Sequence, residues 1–167
     1  SLCIDENVKK DKHVIAANEG NAISLAAGYH LATRKLPMVY MQNSGLGNAV
    51  NPLLSLCDPD VYSIPLLVMI GWRGEPGVKD EPQHIKQGQV QLELLDAMGL
   101  PYEVISKDDN QFATKISNAI ETAKKENTPY VLLIKKGTFE KYHSAIPQPD
   151  DRCMSREEAL EIILDSL

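Results

Sequence analysis

Apolar residues recur along this chain in short blocks separated by amphipathic stretches. His13–Ala17 (HVIAA) reads as a strand, and Gly20–Arg34 as a helix rich in Ala and Leu. Gly28, inside that helix, predicts close packing against a neighbour. Pro37–Gln42 (PMVYMQ) is the next strand. The loop Asn43–Gly47 follows, then a helix to about Cys57, ended by Asp58–Pro59. Pro65–Gly71 (PLLVMIG) is a continuous apolar run, the pattern of a parallel strand buried on both faces. Trp72–Gln83 is a polar loop punctuated by Gly74, Pro76, Gly77 and Pro82. Helical periodicity resumes from Ile85 to Met98, with Gly99 as its cap. Tyr102–Ile105 is a short strand. Asp109 or Asn110 would cap a helix running to Glu126, and Tyr130–Ile134 (YVLLI) is a further buried strand. Strands alternating with helices predict an α/β fold, a doubly wound parallel sheet with helices on both faces.

After Gly137 the pattern changes. Residues 138–154, with Pro147 and Pro149, read as a linker. Ser155 and Glu158 form a capping box that opens a last helix, Arg156–Leu167. The expected organisation is one domain over 1–137, the linker, and a helix at 155–167 leading towards a second domain.

Composition narrows the function. Of 167 residues, 43% are hydrophobic, enough for a sizeable core. The net charge of −6 supplies no basic stripe to neutralise phosphates, so a nucleic-acid partner is not expected. No apolar run reaches the ~20 residues that span a bilayer, so no membrane segment is expected either. The three cysteines, Cys3, Cys57 and Cys153, stand far apart, without CxxC spacing. That argues against a metal site and for a reducing, cytoplasmic setting. Met38, Met41, Met69 and Met98 fall at core-like positions. His13, His30 and His143 have no partners at metal-ligand spacing.

Three segments carry candidate chemistry. Glu19 lies between the strand HVIAA and a helix, where ligands bind in open parallel sheets. Apolar neighbours would raise its pKa and the helix dipole would lower it. A plain helix-capping glutamate fits the same position. Asn43-Ser44-Gly45-Leu46-Gly47-Asn48 also joins a strand to a helix. Its glycines permit close backbone approach to a ligand, and its polar side chains offer hydrogen bonds. Val50 occupies the third-glycine place of a dinucleotide fingerprint, and no Lys-Ser/Thr follows as in a P-loop. A simple tight turn is the alternative. Trp72–His84 supplies Arg73, Lys79 and His84 to an anion. Equally, Glu75, Asp80 and Glu81 would neutralise those bases in a solvated loop. Ser44 is not in a GxSxG elbow, which argues against an α/β-hydrolase.

Taken in order, NEGNAISLAAGYHLA, MQNSGLGNAVNPLLSL and IPLLVMIGWRGEPGVKDEPQH resemble the pyrimidine-binding (Pyr) domain of thiamine-diphosphate-dependent 2-oxoacid decarboxylases, in the phosphonopyruvate decarboxylase branch. The resemblance runs from Val14 to Tyr142. Sulfopyruvate decarboxylases share the first two patterns, and the third favours phosphonopyruvate. The resemblance implies that Glu19 hydrogen-bonds the ring nitrogen of the cofactor's aminopyrimidine and so activates it. It implies that Asn43–Asn48 (Asn43, Ser44, Gly45, Leu46, Gly47 and Asn48) faces the pyrimidine and substrate. The substrate's second anion needs a local cationic site in this acidic chain, and the loop after PLLVMIG, with Arg73, Lys79 and His84, is the best candidate. Arg73 is favoured over Lys79 because it lies nearer the strand's carboxyl end. Where many relatives have GPGxxN, this chain has Leu46 for Pro and Val50 for Asn, with Asn48 and Asn51 flanking.

The family also needs a PP domain, whose GDG…N segment holds Mg²⁺ and the diphosphate. No GDG occurs in these 167 residues. The family's first strand and helix are not found ahead of Ser1. The implied assembly is a homo-oligomer, dimer or tetramer, with the active site formed between the Pyr domain of one subunit and the PP domain of another. The implied reaction converts phosphonopyruvate to phosphonoacetaldehyde and carbon dioxide, a step of phosphonate biosynthesis. A sulfopyruvate decarboxylase α subunit and a non-catalytic Pyr-like scaffold are the other readings.

Overall fold

The computed structural model describes residues 8–9, 12–140, 161–162 and 165. Contacts divide the chain into two units, 1–14 with 141–167, and Ile15–Glu140. The elements below all belong to the second unit. Of the expected terminal helix, Glu161, Ile162 and Asp165 are helical. The rest of it, residues 141–154 of the linker, His143, Cys3 and Cys153 lie outside the described residues.

Four parallel strands form one sheet: β1 (Met38–Gln42), β2 (Leu66–Gly71), β3 (Tyr102–Ile105) and β4 (Pro129–Ile134), in the order β1-β2-β4-β3. β2 and β4 sit at the centre. Every residue of β4 is buried, which explains its unbroken apolar sequence. Helices α1 (Glu19–Thr33), α2 (Leu46–Pro52) and α4 (Gln91–Ala97) bring Ile23, Leu46, Ala49 and Leu95 against Val39, Val68 and Leu133 on one face. On the other face α5 (Phe112–Glu126) packs Ala119 and Ala123 against Leu67, Tyr130 and Leu132. The expected parallel sheet with helices on both faces is thus observed.

Several expectations are corrected. His13–Ala17 is not a strand: none of its residues is in extended strand structure, and Ile15 is 82% exposed. β-Branched residues favour extended backbone, yet a strand also requires a neighbour to receive its hydrogen bonds. The helix expected from Ile85 to Met98 begins earlier, at Pro82, and is two helices, α3 (Pro82–Gln89) and α4, with a break at Val90. Pro82 at the first turn donates no hydrogen bond that the helix needs there. The helix expected to run to Cys57 is composite: a 3-10 turn (Asn43–Gly45), α2, then a π-helical turn (Leu53–Cys57). α5 is capped by neither Asp109 nor Asn110. Its N-cap is Gln111, whose N–H donates to Asp109 Oδ1 at 2.8 Å. Met41 and Met98 are core residues as expected, Met69 is partly buried, but Met38 is 53% exposed. It lies on the edge strand, on the opposite side from Val39 and Met41.

Candidate functional site

The N-termini of α1 and α2 meet beside the carboxyl end of β1. Asn18 caps α1, its Oδ1 accepting from the Asn21 N–H at 2.9 Å. That cap fixes the first helical residue, Glu19. Asn48, in the first turn of α2, donates from Nδ2 to Glu19 Oε2 at 3.0 Å. The carboxyl rests against Gly45, where a side-chain carbon would collide with Glu19 Oε1. A Cβ at Gly20 would lie 2.7 Å from the Asn48 carbonyl oxygen, so the two helix starts approach as closely as glycine permits. The Asn48 amide holds the Glu19 carboxyl below its ordinary pKa, helped by backbone hydrogen bonding and opposed by desolvation. Burial raises the Glu19 pKa as expected, but it is outweighed by the Asn48 hydrogen bond, which the sequence did not point to.

Asn43 is 4% exposed and does something sequence alone did not reveal. Its Oδ1 accepts from the Arg73 N–H at 2.9 Å, and its Nδ2 donates to the Arg73 carbonyl at 2.9 Å. The side chain imitates a strand neighbour beyond the end of β2. It joins the Asn43–Asn48 segment to the loop that follows Gly71. Ser44 is half-buried and its hydroxyl approaches Gln42 Oε1 at 3.5 Å. Leu46 is a core residue, and Gly47 has open space around it.

The loop after β2 is built around Asp80, whose side chain is 6% exposed. Its carboxylate accepts from Arg73 Nε at 2.9 Å, from Arg73 Nη2, from the Gly74 N–H at 2.8 Å and from the Glu81 N–H at 2.8 Å. The Arg73 guanidinium, with these backbone donors, depresses the Asp80 pKa far below the usual carboxylate range. Positive φ at Gly74 (68°) and Gly77 (81°) shapes the turn. Lys135 pairs with Glu75 at 2.6 Å, and Lys136 Nζ donates to the Lys79 carbonyl at 2.9 Å, tying the loop to the end of β4. Trp72 Nε1 donates to the Gly88 carbonyl at 3.0 Å. Arg73 is therefore committed within the loop, whereas the Lys79 side chain is exposed. His84 lies in the first turn of α3, and its Nδ1 is buried without a hydrogen-bond partner. A hollow of about 400 Å³ lies among Gly74, Val78, Lys79, Ile85 and Gln89.

Glu19, Asn48 and Gly45 thus form one cluster, and Asn43 connects it to the loop carrying Arg73, Lys79 and His84. The wider depression, about 670 Å³ and lined by Asp96, Leu100, Tyr102 and Thr128, lies at the opposite edge, by the amino ends of β3 and β4. It shares no residue with this cluster. Among the described residues no group of His, Cys, Asp and Glu is arranged to hold a metal ion. Cys57 is buried and burial pushes its thiol up to about 11, which makes it a poor nucleophile at neutral pH. No described helix is long and apolar enough to cross a membrane.

A family model described as the thiamine pyrophosphate enzyme, N-terminal TPP binding domain, matches residues 4–100. The chain is 36% identical over 126 residues to a phosphonopyruvate decarboxylase of Streptomyces viridochromogenes, covering 75% of this chain and 31% of that protein. Against the phosphonopyruvate decarboxylase of Streptomyces hygroscopicus the identity is 34%, with 77% and 31% covered. It is also 34% identical to the sulfopyruvate decarboxylase subunit alpha of Methanococcus maripaludis, covering 77% of this chain and 74% of that subunit. The chain therefore spans about a third of the phosphonopyruvate decarboxylases it matches and about three-quarters of that α subunit.

Proposed function

We infer the function of this chain from one premise: it belongs to the thiamine pyrophosphate enzymes, as their N-terminal TPP binding domain. We read it as the pyrimidine-binding part of a decarboxylase that acts on a 2-oxoacid with a second anionic group. The substrate we assign is phosphonopyruvate, converted to phosphonoacetaldehyde and carbon dioxide. The observation that carries this reading is the Glu19 carboxyl, held against Gly45 by Asn48 beside the carboxyl end of β1. It is the one acid among the candidate residues, and it lies where two helix starts meet.

The residues present fit the aminopyrimidine half of thiamine diphosphate. An ionised carboxylate is the acceptor that a protonated ring nitrogen requires. Bound there, the cofactor supplies the electron sink that lets a 2-oxoacid lose carbon dioxide. Glu19 would accept from the protonated ring nitrogen and so hold the proton there, and Asn48 orients Glu19. Gly45 keeps the floor of the site free of side chain. Lys79, beside the hollow under the loop, supplies a point charge for the phosphonate. His84 supplies a second donor, and Arg73 holds the loop in shape through Asp80. The described residues offer no cluster for Mg²⁺, which we assign with the diphosphate to a PP domain or subunit. We keep residues 1–137 as the Pyr domain, 138–154 as a linker and 155–167 as a helix leading to the PP domain, in a cytoplasmic homo-oligomer.

A second reading, a sulfopyruvate decarboxylase α subunit, is favoured by the greater share of that subunit which the chain spans. Decarboxylation of both substrates, measured with this chain joined to its PP partner, separates the two. Preference for phosphonopyruvate upholds the assignment, and preference for sulfopyruvate replaces it. Turnover of neither would support a non-catalytic Pyr-like scaffold.

A further inference from the structure

We propose that Asn48 is a positioning residue for Glu19, its side-chain amide holding the carboxyl in one orientation over the Gly45 backbone. The inference rests on the reading of Glu19 as the activating carboxyl. Its geometry is independent of any ligand. Asn48 Nδ2 lies 3.0 Å from Glu19 Oε2 across the junction of α1 and α2. Both partners are fixed by their backbones. Glu19 is the first residue of α1, behind the Asn18 cap, and Asn48 sits in the first turn of α2. The missing side chains at Gly20 and Gly45 let the two elements close to this distance, since a Cβ at either would strike Asn48 or Glu19.

An amide N–H aimed at a carboxyl oxygen favours the anion over the acid, because the anion is the stronger acceptor. The elements packed directly on α1 offer no competing charge. α2, the Asn43–Gly45 turn and the π-helical turn contain no charged side chain. The titratable groups on elements packed against α1 are Tyr40 on β1 and Cys57 in the π-helical turn, and Cys57 is buried. α1 itself adds Tyr29 and His30 towards its far end, and α3, packed on the Asn43–Gly45 turn, adds His84 and Lys86. The depressed pKa of Glu19 accordingly has the Asn48 hydrogen bond as its largest cause, with no charged neighbour contributing.

The test reads Glu19 directly. Glutamate labelled with ¹³C at the carboxyl is incorporated into the 167-residue chain, and the Glu19 signal is identified by its loss in Glu19→Gln. In the unmodified chain its titration midpoint should lie below that of an ordinary glutamate. Asn48→Ala should move the midpoint upward, and Asn48→Asp further upward, since a second carboxylate disfavours the anion. Circular dichroism should be unchanged in both, because Asn48 is exposed and alanine is a strong helix former. Coincident midpoints in Asn48→Ala and the unmodified chain overturn the proposal. If that happens while Glu19→Gln still removes activity from the complete enzyme, Glu19 keeps its role and Asn48 alone loses its own.

Discussion

Two glycines in one short segment have opposite constraints. A methyl group at Gly45 would displace the Glu19 carboxyl, whereas one at Gly47 meets nothing within 4 Å. Displacing a catalytic group by about 1 Å commonly costs on the order of 100-fold in rate. Gly45→Ala should therefore lower kcat of the complete enzyme by about that factor. Gly47→Ala, inside α2, should raise stability by roughly 0.5–1 kcal/mol in urea unfolding, because glycine is a poor helix residue. The basic residues divide similarly. Arg73 is paired with Asp80 and Lys79 is exposed. Lys79→Ala should raise KM for phosphonopyruvate about tenfold or more while sparing pyruvate, since a charge-assisted contact contributes about 1.5–3 kcal/mol. Arg73→Ala should impair both substrates alike, as removal of a loop support would. Steady-state kinetics on the two substrates distinguishes these outcomes.

The loop from Trp72 to Glu81 behaves as an element of its own, with Asp80 as its hub. A carboxyl whose folded pKa is depressed contributes stability that is fully present above the unfolded value, about 3.9. That contribution is lost as pH falls from there towards the folded pKa. The loop should thus hold through pH 5 and loosen only in stronger acid. Trp72, the sole tryptophan, reports on it because its indole is buried against Gly88. Asp80→Ala should show red-shifted Trp72 emission already at pH 7, while the unmodified chain keeps blue-shifted emission down to about pH 4. At this scale the sequence was most readable where burial is complete. β2 and β4 are central, and their apolar runs have no other explanation. His13–Ala17 failed because strand propensity says nothing of whether a neighbouring strand is present. The break at Val90 was hidden because apolar periodicity continues across it. In the site, the Asn43–Asn48 segment could be picked out by its glycines. The pairing of Asn43 with Arg73 spans thirty residues of sequence and has no local signal. Asp80 looked like a neutralising charge because sequence does not show its backbone partners.

Over the whole molecule, the family match is to the N-terminal TPP binding domain. The described residues contain the Glu19–Asn48 cluster that we assign to the aminopyrimidine and no cluster for a metal ion, and the 167 residues contain no GDG. The chain alone should therefore fold yet show no decarboxylation with added thiamine diphosphate and Mg²⁺, by carbon dioxide release from rigorously purified protein. Activity should appear once a PP domain or subunit is supplied. The central claim is that Glu19 activates the cofactor, and exchange of the cofactor's C2 proton with deuterium, followed by NMR in the complete enzyme, tests it most directly. Glu19→Gln keeps the shape of the side chain and removes its charge. Loss of a positioned acid–base group commonly costs about 10²–10⁴-fold. Exchange in the Glu19→Gln enzyme should be slower by that factor, with circular dichroism unchanged, whereas exchange at the unmodified rate would contradict the account.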